Sequence, residues 1–227
     1  MTDAALPVRR IHWDPAFRIV PTRHPSVFLF DRVADPADFE ALYALEAMTN
    51  DRVRDEVGTI EMVPAEDRIF GPGSGPIMAA FTHLNPDGSR FSDGSYGVFY
   101  AGRERATAIA ETRFHHGRFL AATGEASMHL PMRLYHVHID ARLHDLRPEG
   151  AVDARVNDPD SYAVSRQLGA ALRRQGSTGV AYRSVRNPAG QCAGLFKPKA
   201  ARHCVHAAYL LYAWDGMRFS GVYQQTD

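Results

Sequence analysis

Between Ser89 and Glu111 the chain carries Arg90, Tyr96, Tyr100 and Glu111 around a polar turn, Ser92-Asp93-Gly94-Ser95. An arginine fork donates paired hydrogen bonds to phosphate oxygens. A tyrosine offers a flat face to a ring, and a carboxylate can stabilise positive charge on a sugar. Together they suit cleavage of an N-glycosidic bond, where fixed charge aimed at an oxocarbenium-like transition state is the largest catalytic contribution. Glu111 has Thr107, Ala108 and Phe114 as helical neighbours, a small and apolar setting that would pin it against a sheet. The same spacing also suits a surface glutamate paired with His115 or Arg118. Arg90 equally fits an ordinary surface arginine, Tyr100 a core tyrosine and Ser184 a strand serine, so spacing leaves both readings open.

Other constellations are weaker. His136 and His138 stand two apart on an expected strand and so share a face, with His115, His116, His203 and His206 as possible third ligands. No H-E-x-x-H helix and no obvious completing carboxylate accompany them, and no metal is expected. Gly73-Ser74-Gly75 misses the G-x-S-x-G elbow of serine hydrolases. Cys192 and Cys204 form no C-x-x-C pair, which argues against thiolate zinc and a redox dithiol, and for reduced thiols in a cytoplasmic protein.

The elements that must position these residues can be read from periodicity. Residues 1–16 read as an irregular leader containing Pro7 and Pro15, and 17–227 as a single domain. Strands are expected at Phe17–Val20, Gly97–Ala101, Met132–Asp140, Gly179–Val185, Ala193–Phe196, Val205–Tyr212 and Phe219–Tyr223. Helices are expected from Asp35 to about Thr49, over Glu104–His116, and from a cap at Asp158-Pro159-Asp160. Gly71 to Pro76 reads as a turn-rich connection. Strands outnumber helices without strict alternation, which predicts an α+β fold with a mixed or antiparallel sheet and flanking helices. The 26 basic and 26 acidic residues cancel, so no field favours nucleic acid. No apolar run approaches a membrane span, and Met1 to Arg10 lacks the apolar core of a secretory signal.

Four segments in order resemble the RES domain family in its longer form: Phe17-Arg18-Ile19-Val20-Pro21, Thr49-Asn50-Asp51-Arg52, the Arg90-to-Glu111 block, and Gly179 to Arg186 with Leu195-Phe196-Lys197-Pro198. The arginine, glutamate and serine that name the family match Arg18, Glu111 and Ser184. The resemblance implies a fold similar to diphtheria-toxin-type ADP-ribosyltransferases, and a toxin of a toxin–antitoxin pair that cleaves the nicotinamide–ribose bond of NAD. It implies transfer of ADP-ribose to a protein such as phosphoribosyl-pyrophosphate synthetase. Phosphate or water is the alternative acceptor in an NAD-depleting enzyme, and a silent nucleotide- or protein-binding module is the reading from another class. NAD is then a substrate, and the expected partner is an Xre-like antitoxin that blocks the active site. By the same resemblance Glu111 stabilises the oxocarbenium ion, Arg18 and Arg90 hold phosphates, Tyr100 meets the nicotinamide and Ser184 the ribose or carboxamide. Arg52 and Tyr96 are further NAD-binding candidates.

Overall fold

The computed structural model describes residues 6–24, 29–32, 43 and 57–225. Its strands are β1 (Val8–Pro21), β2 (Phe99–Gly102), β3 (Met128–Asp145), β4 (Gly179–Arg183), β5 (Gln191–Leu195), β6 (Ala201–Trp214) and β7 (Phe219–Gln224). They form one seven-stranded sheet ordered β1-β2-β5-β4-β3-β6-β7. Because β1 also pairs with β3, the first five strands of that order close a ring of pairings, with β6 and β7 continuing outside it. The β3–β4 pair is parallel and the other described pairs are antiparallel. The fold is a mixed-sheet α+β domain, as composition and periodicity predict.

Strand alternation sorts the side chains into an inner core and two outer ones. Facing inward are Trp13, Ala16, Phe99, Tyr135, Val137 and Leu195, met by Ile77, Met78 and Phe81 of helix α1 (Gly75–Thr82). Helix α2 (Arg105–Thr123) covers an outer cluster containing Ile19, Leu134, Leu210 and Tyr212. Helix α3 (Ala163–Arg174) brings Leu172 onto a second outer cluster containing Phe91, Val180, Tyr182 and Cys192. Glu111 sits on α2, at the seam between these two outer layers.

Three expectations change. The leader is not irregular from Val8 onward: residues 8–16 belong to β1, which runs beside β3 from Val8↔His144 to Pro21↔Met132. Ile11 and Trp13 are buried while Arg10 and His12 are exposed, the strand alternation that two prolines disguise. Pro15 falls in the register shift between Trp13 and Ala16, where a missing N–H breaks no rung. The helix expected to open at Asp158 begins at Ala163 instead. Asp158 Oδ1 accepts from the backbone N–H groups of Asp160 and Ser161, both at 2.8 Å, and makes a turn there. The turn-rich connection at 71–76 runs directly into α1, whose Gly75 N–H donates to Asp31 Oδ1 at 2.6 Å. Apart from Tyr43, which packs against the inner core, the helix expected over Asp35–Thr49 and the Thr49-to-Arg52 motif, Arg52 included, lie outside the described residues. No described helix is long and apolar enough to cross a membrane.

Candidate active site

Glu111 and Ser184 meet. The Ser184 hydroxyl donates to Glu111 Oε1 at 2.6 Å across 73 residues of sequence. Ser184 is buried, just past the end of β4, and its oxygen accepts from the backbone N–H groups of Arg186 (3.2 Å) and Asn187 (2.9 Å). Those two bonds use the hydroxyl as acceptor, so its proton is directed at the carboxylate. The loop carrying Ser184 reaches α2 closely: Asn187 Nδ2 donates to Thr107 Oγ1 at 3.0 Å. At Gly190 a Cβ would run into the Thr107 hydroxyl, so glycine is what lets this loop touch the first turn of α2. A hydrogen bond to a charged group contributes about 1.5–3 kcal/mol, enough to hold one carboxylate oxygen and leave the other facing outward. That second oxygen lies 4.0 Å from His115 Nε2, and the Glu111 side chain keeps 18% of its surface. The His115 pKa falls below its ordinary value through burial, so the ring is neutral near pH 7 and contributes a dipole rather than a charge.

Around this pair stand two arginines. Arg90 is 6% exposed. Its Nη1 donates to the carbonyls of Val156 and Asp158, both at 3.1 Å, and its guanidinium lies 4.5 Å from the Tyr162 ring centroid. Tyr162 in turn approaches His115, with centroids 6.3 Å apart. Arg186 stacks on Phe114 of α2 at 3.2 Å and donates to the Pro159 carbonyl. Segment 153–162 therefore bridges both arginines with its backbone. Buried polar atoms without a hydrogen-bond partner concentrate here: Arg90 Nη2, Arg186 Nε, Tyr162 Oη and Asn157 Oδ1. Orphans of this kind are costly, and an ordered water, an ion or a ligand bound here would complete their bonding.

Tyr96 and Tyr100 hold Arg90 in place through its neighbour. The Tyr96 hydroxyl donates to the Phe91 carbonyl at 2.5 Å, and the Phe91 N–H donates to the Tyr100 hydroxyl at 3.0 Å. Tyr100 also bonds Ser89 Oγ at 2.8 Å, and burial raises its pKa, so the hydroxyl stays protonated. Gly169 of α3 abuts the Phe91 backbone so closely that a Cβ there would collide with its carbonyl. The floor is Tyr182 and Cys192, paired across β4 and β5. Tyr182 lies within electrostatic reach of Glu111, Tyr100 and Arg90, and burial pushes its pKa well up. Burial, with Glu111 nearby, also raises Cys192, which remains a thiol.

Arg18 is elsewhere. It lies 4.4 Å above the Phe99 ring, on the inner face, whereas Tyr100 projects to the other side of β2. Its Nη1 donates to the Tyr100 carbonyl at 3.0 Å. The structure thus gathers Arg90, Glu111 and Ser184, sets Tyr96 and Tyr100 behind Arg90, and places Arg18 in a cavity that Tyr96 and Tyr100 also line. Sequence reasoning missed the roles of Tyr162, Arg186 and Asn157. Arg186 lay inside a quoted motif, while Tyr162 fell within the helix expected from Asp158. Among the histidines, His136 packs edge-on against Phe17, and His138 contacts His12 and lies 3.0 Å from Asp14. His12, His138 and Asp140 have potential ligand atoms within 4.8 Å of one another, but Asp140 receives two bonds from Arg10 at 2.7 Å.

A profile of the RES domain family matches residues 66–215. The chain belongs to the RES domain family. The matched span contains Arg90, Tyr96, Tyr100, Glu111 and Ser184, and excludes Arg18 and Arg52. Uncharacterized protein y4oC of Sinorhizobium fredii (strain NBRC 101917 / NGR234) is 28% identical to this RES chain over 217 residues, covering 94% of this chain and 89% of that protein. Among solved structures, the crystal structure of the M. tuberculosis MbcT-MbcA toxin-antitoxin complex contains a chain that aligns with a TM-score of 0.49 at 11% identity. That alignment covers 91% of this chain and 87% of that one.

Proposed function

We propose that this RES chain is the toxin of a toxin–antitoxin pair and cleaves the nicotinamide–ribose bond of NAD. The observation that carries this reading is the Ser184–Glu111 hydrogen bond, set beside two arginines with unused buried donors. As the glycosidic bond breaks, its electron pair passes to the pyridinium nitrogen and neutral nicotinamide leaves. Positive charge then spreads over the ribose C1′ and its ring oxygen. Glu111, oriented by Ser184, stabilises that charge. The acceptor bonds C1′ with a lone pair and loses its proton. Arg90 and Arg186 grip the pyrophosphate with paired donors, and Tyr96 and Tyr100 act through Phe91 to position Arg90. No metal is called for in this sequence of steps.

The finer reading rests on the family resemblance: transfer of ADP-ribose to a protein side chain, with phosphoribosyl-pyrophosphate synthetase as the type of target, in the cytoplasm. An Xre-like antitoxin that covers the Glu111 site is the matching partner. Incubation with NAD labelled in its adenylate half, with and without phosphate and cell lysate, tests the whole. Label on a lysate protein supports protein transfer. Free or phosphorylated ADP-ribose means depletion by water or phosphate. Absence of nicotinamide release in every condition overturns the enzyme reading and leaves a binding module.

A further inference from the structure

The outer face of the β1–β3 ladder brings two copies of one short pattern together. His12-Trp13-Asp14 on β1 and His138-Ile139-Asp140 on β3 both read His-x-Asp. Alternation turns Trp13 and Ile139 into the core and sets the histidines and acids on the other face. The strands run antiparallel with His12 opposite Asp140, so each histidine meets the acid of the other strand. His12 Nδ1 lies 3.7 Å from Asp140 Oδ2, and His138 Nδ1 lies 3.0 Å from Asp14 Oδ2. One potential ligand atom from each of His12, His138 and Asp140 lies within 4.8 Å of the other two.

The bonding around His138 assigns its tautomer. Arg202 Nη2 stands 3.1 Å from His138 Nε2, and a guanidinium only donates. Nε2 therefore carries a lone pair, and Nδ1 carries the proton that faces Asp14. A carboxylate behind the protonated nitrogen, with a lone pair on the other, is the support that metal-bound imidazoles use. Cationic donors now meet these lone pairs: Arg202 at His138, and Arg10 at Asp140 through two bonds of 2.7 Å. The Arg10 hydrogen bonds first, then the charges of Arg10, His12 and Arg202, hold the Asp140 carboxyl below the usual carboxylate range. Both arginines are exposed, Arg10 with 72% of its side-chain surface free. An exposed ion pair contributes little, so a divalent cation that gains three ligands at once displaces them.

We infer that His12, His138 and Asp140 form a binding site for a divalent transition cation of the Zn²⁺ class, with Asp14 orienting His138. Two imidazoles and one carboxylate suit Zn²⁺ and leave a fourth position for water, whereas Mg²⁺ and Ca²⁺ take oxygen ligands. The ion ties the N-terminal half of β1 to β3. The site stands apart from the Glu111 centre and does not depend on NAD cleavage there.

The test is titration of the untagged full chain with Zn²⁺ against a chromophoric chelator, with Mg²⁺ as the hard-cation control. The expected result is saturation at one Zn²⁺ per chain, without competition from Mg²⁺. His12→Gln and His138→Gln should each weaken binding by at least about a hundredfold, and Asp14→Asn by about tenfold. His12 is exposed, so its variant keeps the fold and serves if His138→Gln does not. Arg10→Ala should tighten binding a fewfold, because the competing donor is gone. Zn²⁺ should also raise the thermal midpoint of the parent and leave that of His12→Gln unmoved. Absence of saturable binding up to millimolar Zn²⁺ overturns the proposal. So does binding unchanged in both histidine variants, because the metal would then sit on other histidines. Weaker binding in Arg10→Ala overturns it too, since Arg10 would then build the cluster rather than compete for it.

Discussion

The Glu111 cluster and the Arg18 cleft both rest on an arginine with no carboxylate partner among the described residues, yet they are built in opposite ways. Arg90 is buried on the outer side of the sheet, stacked on Tyr162 and held by two carbonyls of segment 153–162. Arg18 is on the inner side, stacked on Phe99 and open to a cavity. The first is closed by backbone that answers its Nη1 and leaves Nη2 unpaired. The second is walled by aromatic rings and leaves its charge unanswered. An acid stands near the first, and none is found among the described residues lining the second. Between them are Tyr96 and Tyr100, whose hydroxyls clamp Phe91 while both residues line the cleft.

The comparison breaks most directly at Glu111. Glu111→Gln keeps the shape and removes the charge, and NAD cleavage should fall about a thousandfold, the scale of losing one preorganised electrostatic contact. Full turnover in this variant, measured by nicotinamide release, would remove Glu111 from the chemistry.

A second prediction concerns the ground between the two regions. His116 faces Arg23 and His24 toward the cleft and His115 toward the cluster; burial first, then these neighbours, lower its pKa to about 4. An unfolded histidine takes its proton near 6.5, so between pH 6.5 and about 4 the unfolded state holds more protons than the native one. Stability from this group is complete above pH 6.5 and is lost as pH falls through that window, by up to about 3 kcal/mol. Urea unfolding of His116→Gln against the parent should show the acid slope reduced by about one proton. Identical slopes would mean that His116 is solvated.

At Arg90 the expected effect is smaller. Arg90→Lys retains charge but loses the planar fork and the stack on Tyr162, and kcat/KM for NAD should drop about tenfold to a hundredfold, or about 1.4–2.7 kcal/mol. An unchanged value would transfer the phosphate-gripping role away from Arg90.

Much of this was legible in the chain, for identifiable reasons. Apolar alternation in β3 and the 3.6-residue spacing in α2 are local signals, and both elements formed longer than expected, at Met128–Asp145 and Arg105–Thr123. The N-terminal half of β1 was illegible because Pro7 and Pro15 read as breakers, and only pairing with β3 reveals that Pro15 occupies a register shift. Glu111 was ambiguous from its own helix: the neighbour His115 that suggested a surface pair is present, and Ser184, 73 residues away, supplies the contact that spacing cannot show. Arg18 and Arg90 illustrate the limit best. Both preceded apolar residues and both suited phosphate, but which face of a sheet each occupies depends on the register of β1 and on the fold of the loop before β2.

The smallest expected effect lies at Tyr96, the residue that both regions share. Tyr96→Phe deletes the hydroxyl that donates to the Phe91 carbonyl, leaving a buried acceptor unpaired at a cost of about 1–3 kcal/mol in stability. The ring, with Arg173 stacked 4.6 Å from its centroid, stays, so the wall it gives the cleft persists. If Tyr96 acts by positioning Arg90, KM for NAD should rise a fewfold while kcat changes little, because phosphate gripping is loosened and the Glu111–Ser184 pair is intact. A stability loss with KM and kcat both unchanged would make the clamp purely structural.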